Sequence, residues 1–201
     1  MQRNSLLWQP DSIQIEKSNM WAFMQWSQRR FALELGNYPA LHQWSITHPE
    51  QFWAAVWEFC NIQANPVWSK VLIQTQAFPG HKWFPDAKLN FAKNLLRHAQ
   101  LPGKNNTAIV FNNEAGQRRQ LCYAELYQAV AQLALALRRI GLQSGDRVAA
   151  FMPNLPETVI AMLATASIGA IWSSCSPDFG FNGVMDRFGQ IKPKVLFCAD
   201  G

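Results

Sequence analysis

The sequence of 201 residues is long enough for a full domain, and its apolar fraction of 49% can fill a sizeable core, which excludes a disordered chain. The formal charge is +5, but the 18 basic residues divide equally between positions 1–100 and 101–201 and form no run longer than two, which argues against a nucleic-acid-binding surface. Only 15% of the residues are charged, against about 25% in typical domains. We therefore expect that some of the surface is normally covered.

The four cysteines show neither a metal-binding nor a disulfide pattern. Cys60, Cys122, Cys175 and Cys198 are separated by 62, 53 and 23 positions, and their apolar neighbours predict unpaired, mostly buried thiols. The N-terminus lacks the apolar stretch of a secretory signal. The longest nearly apolar run, Val159–Trp172, has 14 residues and is short of the roughly 20 that a membrane-spanning helix needs. These features predict a cytoplasmic protein without a membrane partner.

The first half of the chain is rich in aromatic residues, because eight of the nine tryptophans precede residue 84. An amphipathic segment follows Ser18, and its pattern predicts a helix that ends at Gly36. The sequence THPE at Thr47–Glu50 predicts a capping box at the start of a further helix. We interpret residues 1–100 as a helical, aromatic-rich N-terminal layer.

From residue 107 onward, short apolar runs alternate with helical patterns. The pattern predicts a hairpin over 107–122, a long helix ending at Gly141, a strand at 147–152, a helix from an Asn154 cap to Gly169, a strand at 170–174, a short helix at 182–190 and a strand at 194–198. Strands that alternate with helices are typical of parallel βαβ units. The predicted fold class is therefore α/β, in which a helical aromatic-rich layer precedes a partial, mostly parallel sheet with flanking helices.

The polar run SSCSPDFG, at 173–180, follows a predicted strand at the place where open α/β sheets bind ligands. A serine or cysteine nucleophile in this run would need a base, usually histidine. All four histidines lie in the N-terminal layer: His42, His48, His81 and His98. No G-x-S-x-G, G-x-G-x-x-G or Walker-type motif occurs. We predict no catalytic nucleophile in this chain, and two interpretations of the run stay open, a ligand-binding loop and a plain turn.

A metal site is not predicted either. Asp86 is the nearest acidic residue to His81, and His81 has no second ligand at helical spacing.

Two stretches carry a resemblance to a known family. Residues 145–180 read GDRVAAFMPNLPETVIAMLATASIGAIWSSCSPDFG and continue into VMDRFGQIKPKVLFCADG, and residues 83–96 read WFPDAKLNFAKNLL. Both stretches resemble the N-terminal part of the acetoacetyl-CoA synthetases, a family of acyl-adenylate-forming ligases. The chain departs from the family's W-F-P-G motif at Asp86, which replaces the glycine.

The resemblance implies that residues 1–100 are the helical N-terminal region of acetyl-CoA-synthetase type and that residues 101–201 are the first part of an AMP-binding domain. It implies a parent enzyme that uses acetoacetate, ATP, CoA and Mg²⁺ to make acetoacetyl-AMP and then acetoacetyl-CoA. The family's phosphate loop, magnesium residues and adenylation lysine follow the part matched here, so the 201 residues alone are expected to be inactive.

The resemblance also implies that Ser176, Pro177 and Asp178 lie near CoA. Related enzymes carry a glycine pair at Pro177 and Asp178, and a plain turn remains the alternative there. At the level of function, the alternatives are a truncated, non-catalytic binding module and part of an acetyl- or other short-chain acyl-CoA synthetase. Because the family's sheet continues beyond the matched part, the isolated chain is expected to expose a sheet edge and to self-associate.

Overall fold

A computed structural model describes residues 7–77 and 79–199 of the chain. The chain divides into two compact units, Met1–Ala87 and Lys88–Gly201. In its described residues, the N-terminal unit contains helices α1 (Ser12–Glu16), α2 (Asn19–Phe31), α3 (Tyr38–Thr47) and α4 (Pro49–Phe59), and a short antiparallel ribbon of β1 (Leu72–Ile73) and β2 (Lys82–Trp83).

Aromatic rings form the core of the N-terminal unit. Phe23 on α2 contacts two rings of α4 edge-on, with centroid distances of 5.8 Å to Phe52 and 5.2 Å to Phe59. Trp44 from α3 is buried beside them, and its ring centroid lies 5.4 Å from that of Phe52. Edge-to-face contacts of this kind add to the free energy of area burial, so the rings determine how the three helices pack. An open, mostly apolar groove of about 340 Å³ lies between the same helices.

Two helix boundaries in this unit differ from the sequence predictions. Helix α2 ends at Phe31 and not at Gly36, because Ala32 adopts a left-handed conformation with φ of 53°. The predicted capping box is also wrong, because Thr47 is the last residue of α3 and donates its hydroxyl to the carbonyl of Gln43 at 2.8 Å. Helix α4 starts after His48 without a side-chain cap.

The second unit is an α/β layer structure. Its described elements are α5 (Phe91–Leu96), a 3₁₀ turn (Arg97–Gln100), β3 (Thr107–Asn112), β4 (Arg118–Cys122), α6 (Tyr123–Arg139), β5 (Arg147–Phe151), α7 (Pro156–Ile168), β6 (Ile171–Cys175), α8 (Phe181–Ile191) and β7 (Val195–Cys198). The strands β3 and β4 pair as the predicted hairpin. The central strand β5 runs parallel to both of its neighbours in the order β6-β5-β7, which confirms the predicted parallel sheet.

Alternation along β5 places successive side chains on opposite faces of the sheet. Val148 is fully buried in the cluster that α6 and α7 form with the sheet, and Leu163 of α7 lies in the same cluster. Ala149 points to the other face and packs with Phe188 of α8. The helices α6 and α7 therefore cover one face and α8 covers part of the other. The predicted helix ends at Gly141 and Gly169 are confirmed, with left-handed φ angles of 87° and 84°.

Two other sequence predictions for single residues are corrected. Helix α7 is capped at Leu155 without a side-chain hydrogen bond, so Asn154 is not the cap; Pro156 occupies the first turn, where no amide donor is needed. The expectation of mostly buried thiols is also wrong. Cys60 and Cys198 are exposed, Cys122 is half-buried, and only Cys175 is buried.

Across residues 7–77 and 79–199, no helix combines the length and apolar character needed to cross a membrane.

Candidate functional site

The carboxyl ends of the three parallel strands meet at one edge of the sheet. Phe151 of β5 pairs with Cys175 of β6 on one side and with Cys198 of β7 on the other. The chain therefore leaves β5 and β6 at the same level and enters two loops, 152–155 and 176–180. In open α/β sheets, ligands bind in the crevice outside this edge.

The loop after β6 is a compact, exposed turn. Strand β6 continues through Cys175, so Ser173 and Ser174 belong to the strand and the loop begins at Ser176. The Ser176 hydroxyl donates to Asp178 Oδ2 at 2.8 Å, and the amide of Phe179 donates to the Ser176 carbonyl at 3.2 Å. These two bonds close a turn whose residues Ser176, Pro177 and Asp178 are all exposed. The geometry brings the three residues that sequence analysis selected into one surface feature.

Cys175 occupies a different environment from that turn. Its side chain is only 7% exposed and packs in a cluster with Ala149 and Phe188, between the sheet and α8. A nucleophile must be within reach of its substrate, and this burial instead gives the thiol a packing role. His98, which was assigned to the N-terminal layer from the sequence, belongs instead to the second unit, and its ring packs against that of Tyr123 at a centroid distance of 5.3 Å.

A second set of contacts joins the end of the turn to α8. The guanidinium carbon of Arg187 lies 4.0 Å from the centroid of the Phe179 ring, within the range of a cation–π interaction. Arg187 Nη1 also donates to the Gly183 carbonyl at 2.9 Å. This group was not predicted from the sequence. The signal that could have found it is the spacing Phe179-Gly183-Arg187, in which each residue follows the previous one by four positions.

An ion pair links the hairpin to the first turn of α7, which follows the loop after β5. Arg119 Nη2 of β4 lies 2.6 Å from Glu157 Oε1 in the first turn of α7. The hydrogen bond from Arg119 lowers the pKa of Glu157 below its usual range. Thr158 donates its hydroxyl to the Pro153 carbonyl at 2.8 Å, which closes the loop against the helix. Both charged side chains are about half exposed, so the pair contributes little to the stability of the fold.

The amino edge of the sheet carries another ion pair. Lys194 Nζ, just before β7, donates to Asp146 Oδ2 at 2.7 Å just before β5. This bond, together with one from the amide of Gln143, lowers the pKa of the Asp146 carboxyl. Because ligands of such sheets bind at the opposite edge, we interpret this pair as a link between the starts of β5 and β7.

The motif WFPDAKLN has structural contacts in both units. In the N-terminal unit, the Phe84 amide donates to the Val71 carbonyl at 2.7 Å, and the Ser69 hydroxyl donates to the Asp86 carboxylate. In the second unit, Asn90 caps α5 by accepting from the Lys93 amide at 3.0 Å. Its Nδ2 donates to the carbonyl of Ala166, near the end of α7, at 2.8 Å. These bonds give the motif a structural function, because they anchor the segment at both of its ends.

Among the residues that the structure describes, no three His, Cys, Asp or Glu side chains form a group that could hold a metal ion.

Comparisons with known proteins match two family models, one after the other along the chain. Residues 38–95 match the model described as "Acetyl-coenzyme A synthetase N-terminus", and residues 95–201 match the model described as "AMP-binding enzyme". Together the two models cover the sequence from the third helix of the N-terminal unit to the end of the second unit.

Individual relatives are similar over nearly the whole chain. The chain is 46% identical, over all 201 residues, to the acetoacetyl-coenzyme A synthetase of Rhizobium meliloti (strain 1021) and spans 30% of that protein. It is 38% identical to a malonamoyl-CoA synthetase of Penicillium aethiopicum, over 90% of this chain and 26% of the relative. A solved structure of the acetoacetyl-CoA synthetase from Streptomyces lividans matches with a TM-score of 0.89 and 39% identity, over 96% of this chain and 30% of that one. The chain thus spans less than a third of the length of these relatives.

Proposed function

Because the chain belongs to the AMP-binding enzyme family, we propose that it forms the N-terminal part of an ATP-dependent acid–thiol ligase that activates acetoacetate and transfers it to CoA. The observation that carries the proposal is the 46% identity to an acetoacetyl-coenzyme A synthetase across the entire chain. The identity extends over the N-terminal unit, which lies entirely outside the AMP-binding match, and so it favours this branch over adenylating enzymes in general.

The proposed reaction has two steps because a carboxylate is a poor electrophile. Its negative charge repels a thiolate, and an oxide ion cannot leave. In the first step a carboxylate oxygen attacks the α-phosphorus of ATP, which gives acetoacetyl-AMP and releases pyrophosphate. In the second step the CoA thiol loses its proton, its sulfur attacks the acyl carbon, and the C–O bond to AMP breaks. Mg²⁺ would balance the phosphate charges in the complete enzyme.

The names of the relatives favour a particular class of acid. Acetoacetate and malonamate both carry a carbonyl group two carbons from the carboxylate, and they differ only by a methyl group in place of an amide nitrogen. Relatives named for these two acyl groups are 46% and 38% identical to this chain. We therefore propose a short 3-oxo acid as the substrate. The acetyl-CoA synthetase alternative rests on the match of residues 38–95 to the N-terminal model of that enzyme.

Within this ligase, we assign residues 1–100 to the helical N-terminal region and residues 101–201 to the first part of the AMP-binding domain. The turn Ser176–Asp178 is our candidate for the vicinity of CoA, because it is exposed at the ligand-binding edge of the sheet. ATP and CoA are cytoplasmic metabolites, so we place the enzyme in the cytoplasm.

The 201 residues alone should neither activate acetoacetate nor bind all of its co-substrates, because they correspond to 30% of the relatives. In isolation they should self-associate, since β6 and β7 are the outer strands of the described sheet and Ile171 and Leu196 on them are half exposed. Sedimentation that shows a monomer at all accessible concentrations would count against this association.

The test of the proposed function is the exchange of labelled pyrophosphate into ATP that depends on the acid. The assay is run with acetoacetate, malonamate and acetate, on the 201-residue chain and on the longer protein encoded by its gene. We expect exchange by the longer protein with the two 3-oxo acids, little with acetate and none by the short chain. Preference for acetate would favour the acetyl-CoA synthetase alternative, and no exchange with any acid would remove the ligase assignment.

A further inference from the structure

The turn proposed to lie near CoA has few contacts of its own that could hold its shape. Ser176, Pro177, Asp178 and Gly180 are exposed, and the hydrogen bonds described above lie within the turn. Phe179 is also exposed, at 39%, but its ring contacts Arg187 of α8. Contacts that fix the position of Phe179 therefore also fix the C-terminal end of the turn.

Helix α8 presents two neighbouring faces, one to the sheet and one to Phe179. Val184 and Phe188, four residues apart, pack on the sheet. Gly183 and Arg187 precede them by one position and are also four residues apart, so they lie together on the adjacent face. Long side chains of a helix point back toward its N-terminus. The Arg187 guanidinium therefore reaches the first turn of α8, where it meets both the Gly183 carbonyl and the Phe179 ring.

Gly183 leaves the space that this arrangement needs. A Cβ atom at Gly183 would lie 3.3 Å from Phe179 Cδ1, which is tighter than ordinary van der Waals contact, and 3.4 Å from Arg187 Nη1, at the lower limit of ordinary contact. The φ angle of Gly183 lies outside the left-handed region, so its backbone does not require glycine. The close approach of the ring and the guanidinium is the structural reason for a glycine at this position.

We propose that Arg187 and Gly183 are positioning residues that hold Phe179 and, through it, the turn Ser176–Asp178 in the conformation that meets CoA. The connection to the turn is the hydrogen bond from the Phe179 amide to the Ser176 carbonyl at 3.2 Å. Displacement of Phe179 would therefore open the turn and move the Ser176 hydroxyl and the Asp178 carboxylate. The role of CoA rests on the proposed function. The contacts of Arg187 and Gly183 with Phe179, which we call the clamp, are independent of it.

The first experiment uses the longer protein and separates the two half-reactions. Acid-dependent pyrophosphate exchange does not require CoA, whereas thioester formation does. We expect Arg187→Met to raise KM for CoA by about two- to fivefold, the range of an exposed cation–π contact, with exchange unchanged. Arg187→Lys keeps the charge but loses the planar stacking group, so its KM should be intermediate. A merely structural role would change both half-reactions together and would overturn the proposal.

A matched glycine pair provides the control. Gly183→Ala and Gly189→Ala both replace a glycine of α8 and gain similar helix propensity, but a Cβ at Gly189 would meet no atom within 4 Å. We expect Gly183→Ala alone to raise KM for CoA. Equal values for the two variants would show that the space beside Phe179 does not matter and would overturn the role of Gly183.

Hydrogen exchange of the peptide covering 176–183 is measured by mass spectrometry on the same longer proteins. It distinguishes failure of the proposed function from failure of the positioning proposal. Arg187→Met should speed this exchange about two- to fivefold, while Gly189→Ala should not. If the wild-type protein lacks ligase activity, the proposed function fails and hydrogen exchange still tests the clamp. If the wild type is active and the loop loosens without any change in KM for CoA, the turn does not meet CoA and the positioning proposal is overturned.

Discussion

The two units of the chain build their cores from different side chains. In the N-terminal unit, three helices pack through aromatic rings, of which Phe23 touches Phe52 and Phe59. In the second unit, small and branched residues such as Val148 and Ala149 fill the layers between a parallel sheet and its helices. A ring of six or more atoms contacts several elements at once, whereas an aliphatic strand residue contacts mainly the layer that it faces.

This difference explains where local sequence rules succeed. In the second unit, the period of the apolar residues and the glycines at helix ends agree with the tertiary structure. In the N-terminal unit, the path between α2 and α3 bends at Ala32 so that Leu35 becomes buried, although local propensity favours a stop at Gly36. The packing of the aromatic core thus overrides the local signal there.

The largest expected effect is the loss of an aromatic ring from the N-terminal core. Phe23→Ala should lower the free energy of unfolding by about 3–5 kcal/mol, since it leaves a cavity among three other rings. Tryptophan fluorescence during urea unfolding reports this unit, which holds eight of the nine tryptophans. The exposed Ile46 of α3 supplies the control, because Ile46→Ala should change the value by less than about 0.5 kcal/mol. Similar losses of unfolding free energy for Phe23→Ala and Ile46→Ala would show that the rings do not form the core.

The next largest effect on the free energy of unfolding is expected for one of two asparagines in the second unit. Asn90→Ala should cost about 2 kcal/mol, because it removes the cap of α5 and the hydrogen bond to the Ala166 carbonyl. Asn154→Ala should be nearly neutral, since Asn154 does not cap α7. Urea unfolding followed by circular dichroism measures both. A large loss from Asn154→Ala would restore the cap predicted from the sequence.

The hairpin and the helix ends at Gly141 and Gly169 were predictable, because each depends on contacts close in sequence. The parallel strands were predictable although their partners are distant in sequence, because strands that alternate with helices are typical of parallel βαβ units. The helix α3 was not predicted, since its buried residues Leu41 and Trp44 pack in a cluster to which α2 and α4 also contribute. At the candidate site, the sequence located the turn of 176–178 but not the Arg187 contact. Sequence pattern cannot specify which ring a flexible cation will cover, even when the spacing would permit it.

A third prediction compares the effect on stability of replacing glycine by alanine once in each unit. Gly141 ends α6 with φ of 87°, so Gly141→Ala should cost about 1 kcal/mol through backbone strain. Gly36 lies outside the left-handed region, and a Cβ atom at this position would meet no atom within 4 Å. Gly36→Ala should therefore stabilise the protein by about 0.5 kcal/mol. Thermal unfolding should show shifts of opposite sign. The same sign for both would mean that Gly36 does carry the helix-ending function that its sequence context suggests.

The smallest expected effect concerns the pH dependence of the second unit. The pKa of Asp146 is lowered from its ordinary value of 3.8, first by the hydrogen bond from Lys194 and then by that from the Gln143 amide. Since the folded state holds the proton less tightly than the unfolded chain, the stabilisation is complete well above pH 3.8 and is lost as the pH falls through the lowered value. Asp146→Asn retains an acceptor for Gln143 but loses the charge that faces Lys194. The difference in unfolding free energy between wild type and Asp146→Asn should therefore be constant near neutral pH and shrink below about pH 4.

Lys194→Met should also lower the free energy of unfolding at neutral pH, and the double variant should lose less than the sum of the two single variants. A difference that grows on acidification, or strict additivity, would show that this pair does not link the starts of β5 and β7.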